Sequence, residues 1–238
     1  MRPDSLALIA AIALAPVGAG ADTAVPVSRF AWQTDLIIGL SGMELDETGT
    51  KATLIGDRGY WAEATIQRTG RVIVGVELHS VAPILGPNGY PVAARRVGDW
   101  SDAEGLAIAP DGRAWVSFER WAHVWRYDDG LSGDARHIPD HETFGDHADN
   151  WQLEATAISP DGVIYTFSEK PLLDGFPVFR LSNEGWVIDG YLAERDLFAI
   201  VGADFDEGRD LYLLERKLVM GLWWQNRIRR VRLDGSED

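Results

Sequence analysis

One pattern recurs four times along the chain, at intervals of roughly fifty residues. Each copy has two short apolar runs around a tight break, and an acidic residue followed by a basic one comes shortly after the second run. The breaks contain Gly49, Gly112, Gly162 and Gly208. Further short β-rich runs follow each copy, which indicates about four strands per repeat. Repeats of this length and make-up are typical of β-propeller blades.

We therefore predict an all-β fold, a β-propeller built from four-stranded repeats of about 50 residues. The domain is expected over residues 22–238, which at this spacing corresponds to five or six blades. Its C-terminal end is expected to lack part of the last repeat. Either the chain is a truncated propeller or the ring closes in another way.

The breaks at 111–112 and 161–162 both read Asp-Gly, which suits a two-residue hairpin turn. Counting outward from such turns places two glutamates directly opposite each other in the second repeat, and two more in the third. Like charges that face each other across a strand pair are destabilising. The expected pairs are Glu104 with Glu119 and Glu154 with Glu169.

Three arrangements would make these pairs tolerable: a bound cation, a neighbouring base such as Arg120 or Lys170, or a raised pKa that keeps one acid protonated. A divalent cation is the most economical of them. The chain has no cysteine, and carboxylate oxygens favour Ca²⁺, or else Mg²⁺, over zinc. The alternative is that each acid and its following base form an exposed rim pair of little energetic worth.

The first strand of each repeat is expected to line the central channel, so these acids would meet at one channel mouth. The residues equivalent to Glu104 are expected to be Ser41 in the first repeat and Ile200 in the fourth. Those two repeats would then offer only Asp57 and Glu215 to the mouth. The negative charge is therefore expected to be densest between the second and third repeats.

Several stretches resemble the phytase-like family, bacterial proteins labelled "esterase-like activity of phytase". They include "GLSGMELDETGTKATLIGDRGYW", "DAEGLAIAPDGRAWVSFERWAHVWRY" and "NWQLEATAISPDGVIYTFSEK". The resemblance implies an exported β-propeller that hydrolyses phosphate esters. Positions that match the family's motifs are Asp57 and Arg58, Asp102 and Glu104, Glu119 and Arg120, and Asn150 and Glu154, with Gln152 where the family usually has glycine.

We predict cation-dependent hydrolysis of phosphate monoesters or diesters at this mouth; the alternative is a non-catalytic propeller that binds a ligand or a protein partner there. The candidate catalytic residues are Glu104, Glu119, Glu154 and Glu169. The candidate substrate-binding residues are Arg58, Arg120, Lys170, Arg216 and Asn150. The candidate metal ligands are Asp57, Asp102, Glu104, Glu119, Glu154, Glu169 and Glu215. A serine mechanism is not favoured, because Met43 stands where a nucleophile elbow around Ser41 needs glycine.

The chain carries 37 acidic and 22 basic residues, a net charge of −15, which argues against nucleic acid as a partner. A small phosphorylated substrate and a monomeric state are expected. Arg2, the apolar stretch 6–15 and the small residues 19–21 predict a signal peptide over residues 1–21, cleaved near Ala21. The protein is expected in the periplasm or outside the cell, with no segment that spans a membrane.

Overall fold

The computed structural model describes residues 26–34, 37, 39–92, 102–119, 122–145, 153–172 and 174–233. Within them, 15 strands form four antiparallel sheets, three with four strands and one with three. The all-β, propeller-like arrangement of repeated sheets is confirmed. Five or six blades are not confirmed, since the described residues form four. The predicted signal peptide lies outside these residues, and no helix among them has the length and hydrophobicity needed to cross a bilayer.

Each sheet, here called a blade, is a meander in which strands that follow one another in sequence also pair. Blade 1 contains β1 (Leu40–Leu45), β2 (Lys51–Gly56), β3 (Tyr60–Thr69) and β4 (Val72–Pro83). Blade 2 contains β5 (Ala103–Ile108), β6 (Ala114–Phe118), β7 (His123–Tyr127) and β8 (Ala135–His137). Blade 3 contains β9 (Leu153–Ile158), β10 (Ile164–Ser168), β11 (Phe176–Ser182) and β12 (Gly185–Leu192), and is preceded by the short helix α1 (Glu142–Gly145). Blade 4 contains β13 (Ala199–Phe205), β14 (Leu211–Val219) and β15 (Trp223–Val231).

Apolar side chains fill the joints between neighbouring blades, and the first strands β1, β5, β9 and β13 pack side by side. Phe118 and Tyr127 belong to the core between blades 1 and 2, and Phe167 and Leu213 to that between blades 3 and 4. Alternation along each strand provides two apolar faces per sheet, which is what stacking of blades around an axis requires.

The hairpins between the first two strands of blades 2 and 3 differ from the prediction. The Ala109 N–H is hydrogen-bonded to the Arg113 carbonyl oxygen at 2.8 Å, so residues 110–112 form a three-residue loop. Gly112 has a φ of +88° and Gly162, at the same place in blade 3, has +80°. A left-handed glycine at the end of a three-residue hairpin loop is common. The predicted two-residue turn was wrong because the proline before Asp-Gly belongs to the loop.

A β-bulge interrupts the pairing of the first strand in every blade. A small residue follows each bulged position, and in blades 1 and 2 the backbone of the next blade approaches closely there. In blade 2, a Cβ on Gly105 would lie 2.5 Å from both Ser117 Oγ and Thr156 N. The bulged residues are Ser41, Glu104, Glu154 and Val201, and the small residues after them are Gly42, Gly105, Ala155 and Gly202. Val201 therefore replaces the predicted Ile200 as the counterpart of Glu104.

Candidate functional site

Three carboxylates of blade 2 converge where β5 begins and β6 ends. The Glu119 N–H donates to the Asp102 carbonyl oxygen at 2.8 Å, so Glu119 lies opposite Asp102. The predicted direct pairing of Glu104 with Glu119 was wrong, because the longer loop and the bulge each shift the register. The side chains nevertheless meet: Asp102, Glu104 and Glu119 each offer an oxygen within 4.8 Å of the others. We call these three residues the acidic triad.

The corresponding pair in blade 3 is shifted in the same way. Ser168 pairs with Leu153 across a bulge, so Glu154 does not lie opposite Glu169 as predicted. The two acids still interact, because the charge of Glu169 raises the pKa of Glu154. Blade 3 therefore adds two carboxylates beside the triad.

Burial and mutual repulsion favour protonated carboxyls at this mouth. Burial, followed by the charges of Glu154, Glu119, Asp102 and Asp57, raises the pKa of Glu104 to about 9. No positive charge opposes that shift among the causes identified for Glu104. At neutral pH its carboxyl therefore needs either a proton or a cation beside it.

Burial, Glu169 and Glu119 raise the pKa of Glu154 to about 8, while the positive charge of Arg216 lowers it. Glu154 is therefore also largely protonated near neutral pH. Unlike Glu104, it has a guanidinium within electrostatic reach.

Asp57 brings blade 1 to the same mouth. Its N–H donates to the Gly39 carbonyl oxygen at 2.9 Å, as that of Glu119 does to Asp102. Gly39 has a φ of +71°, and a Cβ there would collide with the Asp57 carboxylate. Asp57 Oδ1 is buried without a hydrogen-bond partner among the described residues. Burial and the charge of Asp102 raise the pKa of Asp57, against the effect of Arg58.

The triad fits a hard divalent cation. Oxygens bound to one Ca²⁺ at about 2.4 Å are at most about 4.8 Å apart, and the triad oxygens lie within that limit. The unpartnered Asp57 oxygen and the negative surroundings of Glu104 point the same way. The sequence contains no thiol ligand. The triad residues could therefore hold such an ion together, as the sequence predicted.

Blade 4 departs from the predicted pattern. Ala199 pairs with Arg216, so Arg216 is the counterpart of Glu119. Glu215 lies one residue earlier, opposite Ile200, and is 1% exposed. The structure does not bring Glu215 to the triad; its carboxylate pairs with Arg227, and with Arg229 Nε at 3.0 Å. The position that carries Asp57, Glu119 and Glu169 in the other blades therefore carries a base here.

The predicted substrate-binding residues occupy different settings. Arg58 and Lys170 are exposed. Arg216 Nη2 lies 3.7 Å from Glu169 Oε1, at the edge of the mouth. Arg120 and Asn150 lie outside the described residues.

Two contacts at the mouth were not predicted. The guanidinium of Arg216 stacks on Trp224, 4.7 Å from the ring centroid. The Ser41 hydroxyl donates to the Ala103 carbonyl oxygen and thereby joins blade 1 to blade 2. The small residue after each bulge was the sequence signal that could have placed Ser41 and Val201 at equivalent positions.

Two solved structures of low sequence identity resemble this one. A putative gluconolactonase shares 13% identity at a TM-score of 0.49, with 82% of this chain covered. A gluconolactonase from Xanthomonas campestris shares 14% identity at a TM-score of 0.45, with 79% covered. This chain spans 61% of the length of each of these proteins. Comparison with curated proteins gives no match.

The sequence itself matches a family model over residues 36–238, which includes all four blades and every acid discussed above. That family is described as phytase-like, with the esterase-like activity of phytase. The stretches quoted from the sequence, with the order, spacing and acidic positions they share with the family, are the features by which the sequence resembled it. The chain belongs to the phytase-like family.

Proposed function

We propose that the protein is a cation-dependent hydrolase of phosphate monoesters or diesters that acts at the acidic mouth of blades 1 to 3. The observation that carries this proposal is the acidic triad, whose oxygens lie within 4.8 Å of one another. The negative surroundings of Glu104 support a cation there. Membership of the phytase-like family supports ester hydrolysis as the reaction.

Asp102, Glu104 and Glu119 would hold the cation, and the charge of Asp57 acts on Glu104 beside them. A bound Ca²⁺ or Mg²⁺ would supply Lewis acidity toward a phosphoryl oxygen. To serve as a ligand, Glu104 would have to release its proton to solvent, because a ligand carboxylate must be ionised. Ca²⁺ is proposed over Mg²⁺, since several carboxylates from two blades suit its larger and more flexible coordination shell.

Glu154 is the proposed general acid. Its pKa of about 8 keeps the carboxyl protonated at neutral pH, which a leaving-group donor requires. Glu169 maintains that state by its negative charge. Arg216, which contacts Glu169, binds the phosphate, a role that suits the planar donors of arginine.

A hydrolysis assay with chromogenic phosphate monoesters and diesters tests the proposal, run with Ca²⁺, with Mg²⁺ and with chelator. We expect chelator to abolish turnover, added cation to restore it, and Glu104→Gln to lower kcat/KM by at least about 100-fold. The matched control is Glu184→Gln in an exposed turn, which should keep full activity. Cation binding by titration calorimetry without turnover would instead favour the non-catalytic propeller; absence of cation binding would overturn the proposed site.

We also propose that the protein is exported, with cleavage near Ala21, and that it works as a monomer. N-terminal sequencing of protein recovered from a bacterial periplasm tests the first statement. Light scattering of the purified protein tests the second.

A further inference from the structure

We propose that Arg216 and Trp224 form the anion-binding arm of the mouth, in which Arg216 contacts the phosphate and Trp224 is a positioning residue that holds the guanidinium. The arm rests on the proposed function for the identity of its ligand, since phosphate is the group that the proposed reaction transfers. It adds Trp224 as a residue of the site and explains how blade 4 contributes to phosphate binding.

The place of Arg216 in the ring is the first observation. The residue after β6 and β10, and after β2 in blade 1, is an acid: Asp57, Glu119 and Glu169. Arg216 takes this place in blade 4, as its pairing with Ala199 shows. An otherwise acidic mouth therefore has one side with positive charge. An anion beside that side avoids the repulsion it would meet at the other three blades.

Contacts on two sides fix the guanidinium of Arg216. Trp224 lies on the neighbouring strand as its diagonal neighbour, because Arg216 pairs with Asn226 and Leu218 pairs with Trp224. Its ring centroid is 4.7 Å from the guanidinium carbon, within the range of a cation–π contact. Glu169 Oε1 lies 3.7 Å from Nη2.

Arg216 is still accessible to a ligand. Its side chain is 39% exposed, and that of Glu169 is 20% exposed. Glu169, which contacts Arg216, follows Ser168, and Ser168 pairs with Leu153, the residue before Glu154. A phosphate held by Arg216 would therefore stand beside the proposed general acid.

Glu215, the adjacent acid on β14, cannot neutralise Arg216 in the same way. Its carboxylate is buried and pairs with Arg227 and Arg229, two bases of β15. Consecutive residues of a strand point to opposite faces, so Glu215 and Arg216 have separate partners. This division leaves Arg216 to Glu169, Trp224 and a ligand.

Binding of inorganic phosphate to the full chain, measured by calorimetry in Mg²⁺ and again in chelator, tests the arm without any turnover. We expect Arg216→Ala to raise the Kd at least about tenfold, the value of a charge-assisted hydrogen-bonded pair. Trp224→Ala should raise it about two- to fivefold, and Trp224→Phe, which keeps a π face, should stay within about twofold of the unsubstituted protein. Trp223→Ala is the matched control, an exposed tryptophan on the opposite face of the same strand, and should leave the Kd unchanged.

In the ester assay, Trp224→Ala should raise KM while kcat stays nearly constant, and Trp224→Phe should restore KM. The arm is overturned if the unsubstituted protein binds no phosphate or if Arg216→Ala binds it equally well. It is also overturned if Trp224→Phe weakens phosphate binding as much as Trp224→Ala does. Phosphate binding that depends on Arg216 without turnover refutes the proposed hydrolase and supports the arm. Turnover that is unchanged in Arg216→Ala supports the proposed hydrolase and refutes the arm.

Discussion

Buried carboxylates are neutralised differently in blade 4 and at the mouth of blade 2. Glu215 in blade 4 is 1% exposed, and two arginines of β15 surround its carboxylate. Glu104 in blade 2 has only negative charges among the identified causes of its raised pKa. In blade 4 the chain itself supplies the bases of a permanent ion pair. Among the described residues no base is identified as acting on Glu104, which leaves that charge to a proton or a cation from solution.

The largest expected difference is in the free energy of unfolding when Glu215 and Glu104 are each replaced by glutamine. Glu215→Gln removes the buried charge that pairs with Arg229 and leaves Asp196 as the acid beside Arg227, so it should lower the free energy of unfolding by about 3 kcal/mol. Glu104→Gln, measured without cation, should change it by less than about 1 kcal/mol, because the amide replaces a carboxyl that is already protonated. Urea unfolding of both variants measures this contrast. Equal losses would contradict it.

A glycine substitution at the same bulge in the two blades should give the next largest effect. Gly105→Ala places a Cβ 2.5 Å from Thr156 N, in the first strand of blade 3, and should cost about 1–3 kcal/mol. Gly202→Ala meets only Leu214 Cβ at 3.3 Å among its close neighbours, so its cost should be about 1 kcal/mol or less. Gly105→Ala should also weaken Ca²⁺ binding, whereas Gly202→Ala should not. Thermal unfolding with and without Ca²⁺ measures both effects.

Added Ca²⁺ should sharpen the comparison at the mouth. We expect it to raise the melting temperature of the unsubstituted protein and of Glu184→Gln, because ligands of the folded state stabilise it. Glu104→Gln should lose most of that increase. Glu215→Gln should keep the increase, measured relative to the lower melting temperature of the same variant without Ca²⁺. A Ca²⁺ response that disappears with Glu215 and survives without Glu104 would reverse the assignment.

The smallest expected effect is a decrease in the free energy of unfolding as the pH rises. The pKa of Glu104 is about 9 and that of Glu154 about 8 in the folded protein, against the ordinary value of 4.5. The folded state therefore binds more protons than the unfolded state from pH 4.5 to about 9, and this contribution to stability is complete below 4.5 and is lost as the pH rises. Unfolding experiments across this window should show stability decreasing with pH in chelator. Glu104→Gln should flatten the slope; an unchanged slope would assign it to other groups.

The repeat predicted the blades well because strand alternation, turn residues and spacing are local properties of the sequence. The turn length was wrong for a local reason too: Pro110 fits either the end of a strand or the first residue of a loop. The bulges were not predicted, since an extra residue leaves the apolar pattern on either side nearly intact. Glu215, rather than Arg216, was the expected partner in the ring because the blade 4 turn was aligned on Gly208, whereas Arg209, with a φ of +70°, takes the place of Gly112 there.

The acidic character of the mouth was easier to predict than its geometry. Glu104 and Glu119 were identified through an opposed pairing that does not occur, yet their carboxylate oxygens meet, together with that of Asp102. The burial of Asp57 Oδ1 and the stacking of Arg216 on Trp224 depend on contacts between elements that are distant in sequence. Such contacts are decided by packing and not by local pattern.

The extra residue in each first strand provides a position whose side chain differs from blade to blade while the backbone stays the same. That position carries a hydroxyl, two acids and an aliphatic side chain, Ser41, Glu104, Glu154 and Val201, on the same backbone. Single substitutions at this position can change the charge and polarity of the site while the apolar packing between sheets stays intact. Members of such a family could therefore acquire new ligands one repeat at a time.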